Sequence, residues 1–335
     1  MQVLSSKKYN FFIYLLLITF LIFFFFLELS LGPIKISFKE VLENLFFPTD
    51  KLESRLIFDT RLPRAITACL VGAALGLAGM NLQFISQNSM ACPSLLGINQ
   101  GAGLGIILTL AFYPFCHPIL YLFFSLIGAG IATGLIFYIS NKVGITPLKF
   151  ILAGQAINAL FYAFIQAILI FLPTRSGVIL INLNGSLAGS SWELLKWTFF
   201  PVLLSLGLNI LNLKNLHLLS FGKTTAASVG LNYKFNIAFF LFLTVLLSSF
   251  SVALIGPILF LPLIINHFSK LAIGQNPYLL APFIVLFGAT FILICDSLMK
   301  YLFAEKEVAI GLLIAIIGAP ILILTSRLKL NKKHA

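Results

Sequence analysis

Nine stretches of about twenty apolar residues dominate this chain, at 10–31, 62–84, 94–114, 117–140, 148–172, 191–212, 234–255, 278–300 and 307–327. A run of that length can cross the hydrocarbon layer of a bilayer, and only a helix satisfies every backbone N–H and C=O from within the segment. The chain is 60% hydrophobic and 10% charged, whereas soluble domains are about half apolar and about a quarter charged. Lipid is therefore its solvent. The fold class that follows is all-α, a polytopic integral membrane protein.

A shorter apolar piece, "GPILFLPLIINHFSKLA" at 256–272, decides the number of crossings. Gly256-Pro257 ends the preceding run, because a ring nitrogen cannot donate and the residue before proline avoids helical angles. With this piece as a short spanning helix there are ten crossings and both termini share a side. With the N-terminus in the cytoplasm, the inner segments then hold 12 of the 22 Lys and Arg, and all ten Asp and Glu lie outside. That matches the excess of Lys and Arg on cytoplasmic loops. Nine crossings would put the basic tail "SRLKLNKKHA" outside, so ten helices with cytoplasmic termini are expected. The start "SSKKYNFF" looks like a signal peptide, but its apolar stretch is too long and no small-x-small cleavage site follows, so it reads as an uncleaved first helix.

The formal charge of +12 thus reports topology and anionic inner-leaflet lipid. Nucleic acid is not a partner, since no basic stripe is interleaved with base-stacking aromatics. The cysteines Cys69, Cys92, Cys116 and Cys295 are scattered without CxxC spacing, so neither a metal site nor a cofactor is expected. The runs carry no cluster of acids, histidines or cysteines, which speaks against coupling to an ion gradient. No compositional break divides 1–335, which reads as one transmembrane domain. Its longest outer loop is 32–61, where "SFKEVLENLFF" has the apolar spacing of a helix lying on the membrane surface. A second outer loop, 173–191, is rich in Gly, Ser and Asn and suits a position beside a cavity. Glycine pairs at spacing four (Gly72/Gly76, Gly97/Gly101/Gly105, Gly130/Gly134) allow close helix approach in lipid.

One motif suggests an enzyme. Gly222-Lys223-Thr224 ends like a phosphate-binding loop, which needs G-x-x-x-x-G-K-[ST] after a strand. The eight residues ending at Thr224 begin with His217, and a membrane helix precedes them. The segment offers instead a polar cytoplasmic loop, 214–233, with small residues between two glycines that can cap short helices.

Residues 61–103, "RLPRAITACLVGAALGLAGMNLQFISQNSMACPSLLGINQGAG", resemble the signature of the FecCD-type permeases. These are the membrane subunits of ATP-binding-cassette importers for iron–siderophores, haem and cobalamin. Further matches follow in order: "ILAGQAINALF" (151–161), "NGSLAGSSW" (184–192), "LLSFGKTTAASVGLN" (218–232), "GPILFLPLIINHFSKLAIG" (256–274), "LFGATFILICDSLMK" (286–300) and "EVAIGLLIAIIGAP" (307–320).

The resemblance implies ten helices per subunit and a bacterial cytoplasmic-membrane location. It also implies three partners besides the bilayer: a separate ATPase, a substrate-binding protein and a second permease copy. It implies that 219–232 forms coupling helices seated in the ATPase, with Gly222, Lys223, Thr224, Ala226, Ala227, Ser228 and Gly230 in that contact. Outside, the family's R-L-P-R arginines map onto Arg61 and Arg64, and a further basic position onto Lys300, as residues that dock the binding protein. Asp296 and Lys300 also read as a plain i, i+4 pair. Thr146, just before Pro147, and Asn88 are candidates for the inner gate or pathway. The family's N-P-L-A-[DE]-P reads Asn88-Ser89-Met90-Ala91-Cys92-Pro93 here, which removes a rigid turn and an acid. His267, near an inner helix end, suits a helix terminus better than a ligand. The expected cargo is an iron–siderophore or related chelate. The alternatives are a molybdate-type oxyanion on the same architecture and an ion-driven secondary transporter.

Overall fold

A computed structural model describes residues 7–113, 116–143, 147–171, 183–303 and 308–331. These residues form helices and connecting turns, with no strand among them. The ten expected segments hold ten apolar helices: α1 (Lys7–Ser30), α4 (Leu62–Ile85), α5 (Ile98–Phe112), α6 (Pro118–Val143), α7 (Pro147–Phe171), α8 (Trp192–Leu211), α11 (Tyr233–Ile255), α12 (Leu261–Ile273), α13 (Pro277–Leu302) and α14 (Ile310–Asn331). Seven are long and apolar enough to cross a membrane, while α5, α12 and the described part of α14 are shorter. Four short helices also lie among the described residues: α2 (Phe38–Phe46), α3 (Leu52–Arg55), α9 (Leu213–Ser220) and α10 (Lys223–Ser228).

The break at Gly256-Pro257 falls where the sequence requires it. Helix α11 stops at Ile255, Gly256 takes φ 83°, and α12 starts five residues later, after Phe260 at φ 63°. Loop 32–61 differs from expectation. Its last ten residues are helical, and α3 runs into α4 through a π turn at Leu56–Arg61. Pro63 explains the turn, since its ring crowds the carbonyl four residues back. Widening lets the Leu62 N–H reach Ile57 O instead. Before it, α2 forms behind a capping box in which the Glu40 N–H donates to Ser37 Oγ (3.3 Å) and the Ser37 N–H to Glu40 Oε2 (2.9 Å). Those bonds to the ionised form pull the Glu40 carboxyl below its usual pKa.

Helix α4 is the hub. It is buried along most of its length, from Pro63 to Phe84, and it packs on α8, α11, α12 and α13. Gly72 and Gly288 let α4 and α13 touch backbone to backbone, because a Cβ on either would fall on the other's carbonyl. Gly101 and Gly105 do the same for α5 against Gly128 and Phe124 of α6. The expected role of Gly130 and Gly134 in such packing is corrected: nothing among the described residues lies within 4 Å of their Cβ positions, and Gly128 makes the approach instead. Of the second outer loop, 183–191 is described. It is pinned by Ser186 N–H to Ile255 O (2.8 Å) and by the Gly311 N–H to Gly185 O (3.1 Å), which ties the ends of α11 and α14 together.

Candidate coupling segment and outer charge cluster

The inner segment is built from two short helices and two glycines. α8 ends at Leu211 and the chain turns at Asn212 into α9. Gly222 takes φ 90° and opens α10, and Gly230 takes φ 82° beyond it. Asn232 then caps α11, accepting the Phe235 N–H (3.1 Å). Ala226 is fully buried under α10, while Lys223, Thr224, Ala227, Ser228 and Gly230 are exposed. Phe221 and Val229, 55% and 62% exposed, flank the helix as apolar tips. A small raised helix with an apolar rim fits a groove on another protein, where buried apolar anchors carry most of the contact energy. It does not fit a phosphate, because Gly222-Lys223-Thr224 follows a helix and opens a six-residue helix. The segment is tied to α4 by Gln87, whose Nε2 donates to Ser220 O (3.1 Å).

Asn88 lies just beyond α4, half-buried, and its Oδ1 accepts the Met90 N–H (2.9 Å) while its carbonyl accepts the Ala91 N–H (3.1 Å). The side chain therefore rebuilds the turn that the missing proline was expected to cost. Asn88→Ala should destabilise the protein by about 1 kcal/mol, with Asn88→Asp retaining the turn; thermal unfolding in detergent reads both. Thr146 lies outside the described residues.

At the other end, α1, α4 and α13 bring four ionisable side chains together. Arg64 donates twice to Asp296, Nε to Oδ2 and NH2 to Oδ1, both at 2.8 Å. Lys300 pairs with Glu28, and Ser297 Oγ donates to Glu28 Oε2 (3.0 Å). Lys300 lies 3.9 Å from Asp296, so the i, i+4 pair is a lesser contact than the one to Glu28. Glu28 and Asp296 are 0% and 1% exposed. The expectation that no acids cluster within the runs is corrected: two do, each matched by a cation. A lone glutamate inside an otherwise apolar run was the signal for Glu28.

Arg61 is buried at 6% exposure. Its guanidinium donates to Leu29 O (2.7 Å), Ser30 O (3.0 Å) and Ile34 O. The first two are carbonyls at the C-terminal end of α1, which lack helical partners and carry the negative end of the helix dipole, and the third lies in the loop just beyond it. The structure thus places Arg61 inside the chain, fastening α1 to α4, rather than on an outer surface. The side chains of Arg64 and Lys300 keep 17% and 12% exposure.

A family model described as the FecCD transport family matches residues 20–327. The chain belongs to this family. As a FecCD permease it is a multi-pass membrane protein and the transmembrane subunit of an ATP-binding-cassette importer. It is 31% identical over 330 residues to the Fe(3+)-citrate import system permease protein YfmD of Bacillus subtilis, covering 98% of each chain. It is 33% identical over 304 residues to the molybdate import system permease protein MolB of Haemophilus influenzae, covering 88% of this chain and 89% of the relative. Among solved structures, a metal-chelate type ABC transporter in an inward-facing conformation matches with a TM-score of 0.82 and 29% identity. The match covers 96% of this chain and 100% of that one.

Proposed function

We propose that this permease carries a ferric chelate across the bacterial cytoplasmic membrane, driven by ATP hydrolysis in a separate subunit. The observation that carries the reading is the family match across 20–327, which runs from the second half of α1 through most of α14 and includes segment 214–233. In this reading 1–335 is one permease domain with ten crossings and both termini in the cytoplasm. The continuous hydrophobic core from Leu29 to Ile314 supports one unit. The ATPase seats on 214–233, through the surface formed by Gly222, Lys223, Thr224, Ala226, Ala227, Ser228 and Gly230. A second permease copy completes the pathway, whose inner approach carries Thr146.

Outside, a binding protein delivers the chelate. Arg64 and Lys300 remain the docking cations, held at the rim by Glu28 and Asp296, while Arg61 sets the position of α1 behind them. Neither Lys300 nor Arg64 is spare charge. Docking acids would therefore compete with or extend a network that is already neutral.

A strain lacking the chain and supplied with it in trans provides the test of cargo. Ferric citrate uptake should rise at least tenfold on complementation, with molybdate uptake unchanged. Restored molybdate uptake without iron uptake would move the chain to the oxyanion reading that MolB represents.

A further inference from the structure

A cavity of about 820 Å³ lies between the ends of α4 and α9, the length of α12 and the middle of α14. Its mouth is polar, lined by Gln83, Gln87, His217, His267, Lys270 and Gln275. Among the described residues no aspartate or glutamate lines it, and the ionisable ones that do are Lys270, His217 and His267. Its depth is apolar, walled by Phe84, Leu263, Ile264 and Ile321. From Leu263 to Lys270 along α12 is roughly 10 Å, at 1.5 Å per residue. The cavity therefore passes from hydrocarbon depth to headgroup depth within its own length. Lys270 is aimed across the mouth, with its Nζ donating to Gln83 Oε1 and lying 5.8 Å from the centroid of the Phe84 ring. The next residue, Leu271, is 68% exposed, so an apolar side chain stands beside the polar mouth.

We propose that this cavity holds an anionic phospholipid of the inner leaflet, with its phosphate at Lys270 between His217 and His267 and an acyl chain along Leu263, Ile264 and Ile321. An amphipathic space of this size suits a ligand with both a charged and an apolar part. A docked carboxylate side chain would leave most of it empty. Cationic pockets between membrane helices on the cytoplasmic side favour anionic headgroups for the same electrostatic reason that positive loops stay inside. His217 and Phe221 belong to the chain that leads into the coupling segment, so the lipid braces that segment against α4, α12 and α14. The proposal rests on the inward assignment of these helix ends, but its test does not depend on transport or on the cargo.

The full chain is purified into nanodiscs of phosphatidylglycerol and phosphatidylcholine, and lipid retained on release into detergent is read by native mass spectrometry. Phosphatidylglycerol should be retained over phosphatidylcholine by roughly fivefold or more. The pair Lys270→Gln with His267→Gln should bring that ratio close to one, and Lys270→Arg should preserve it. Monodisperse elution of all variants separates loss of lipid from loss of fold. Equal retention of the two lipids by the unaltered chain would overturn the proposal, as would an undiminished ratio in the double variant. Displacement of the lipid by millimolar inorganic phosphate would assign the site to a soluble anion. Loss of the lipid on adding the ATPase would assign the cavity to protein docking. Either result also contradicts it.

Discussion

Glu28→Ala is expected to destabilise the protein by about 3–5 kcal/mol, the usual result of removing one partner from a buried ion pair. The loss leaves Lys300 its longer contact to Asp296 (3.9 Å) and Ser297 Oγ without its acceptor. Asp296→Ala should cost a similar amount, because two 2.8 Å bonds of Arg64 end on that carboxylate. The yield of folded protein in the membrane should fall accordingly, and thermal unfolding in detergent measures the loss. The double replacement Glu28→Leu with Lys300→Met removes both charges and should recover most of the stability, since apolar isosteres often replace buried pairs at little cost. That recovery is what separates the buried pair's effect on stability from the loss of one partner alone. If Glu28→Ala behaved like a surface substitution, within about 0.5 kcal/mol, the cluster would not be holding α1 to α4 and α13.

The second large effect lies at the coupling segment. Ala226 is fully buried beneath α10, and its N–H and C=O bond Gly222 O and the Leu231 N–H (3.0 Å each). Ala226→Asp forces a carboxylate into that space, where an unpaired charge is costly enough to displace the short helix instead. Chelate uptake should fall by tenfold or more, with the amount of permease in the membrane unchanged, because α10 lies outside the spanning helices. Lys223→Ala is the companion variant. The side chain is exposed, so its loss should cost no more than about fivefold in uptake, the scale of a surface charge contact. A phosphate-binding lysine would instead be indispensable. Immunoblots of membranes beside uptake of labelled iron distinguish the two.

The crossings were legible because lipid leaves the backbone few options: apolar runs of sufficient length became helices, and the glycine–proline step fell between α11 and α12. The short helix α10 was legible for a similar reason, as small residues between two glycines permit little besides one or two helical turns. The fate of the outer arginines was not. Arg61 ends on carbonyls 27 to 32 residues earlier in the chain, and Lys300 pairs with a residue 272 positions away. Local spacing suggested Asp296 for Lys300, but Arg64 takes that carboxylate and leaves Lys300 to Glu28. The helical extension at 52–61 was hidden by Pro63, which reads as a start signal and acts here through a widened turn. Gly130 and Gly134 share the spacing of Gly101 and Gly105, and only the tertiary arrangement tells which pair meets a neighbouring backbone.

The most direct test uses proteoliposomes holding the purified permease with its ATPase and binding protein, and follows labelled ferric chelate against its gradient. Uptake should require ATP on the face bearing 214–233 and should stop when the ATPase carries an inactivating substitution. Accumulation by the permease alone under a proton or sodium gradient, with no ATPase present, would contradict the proposed function.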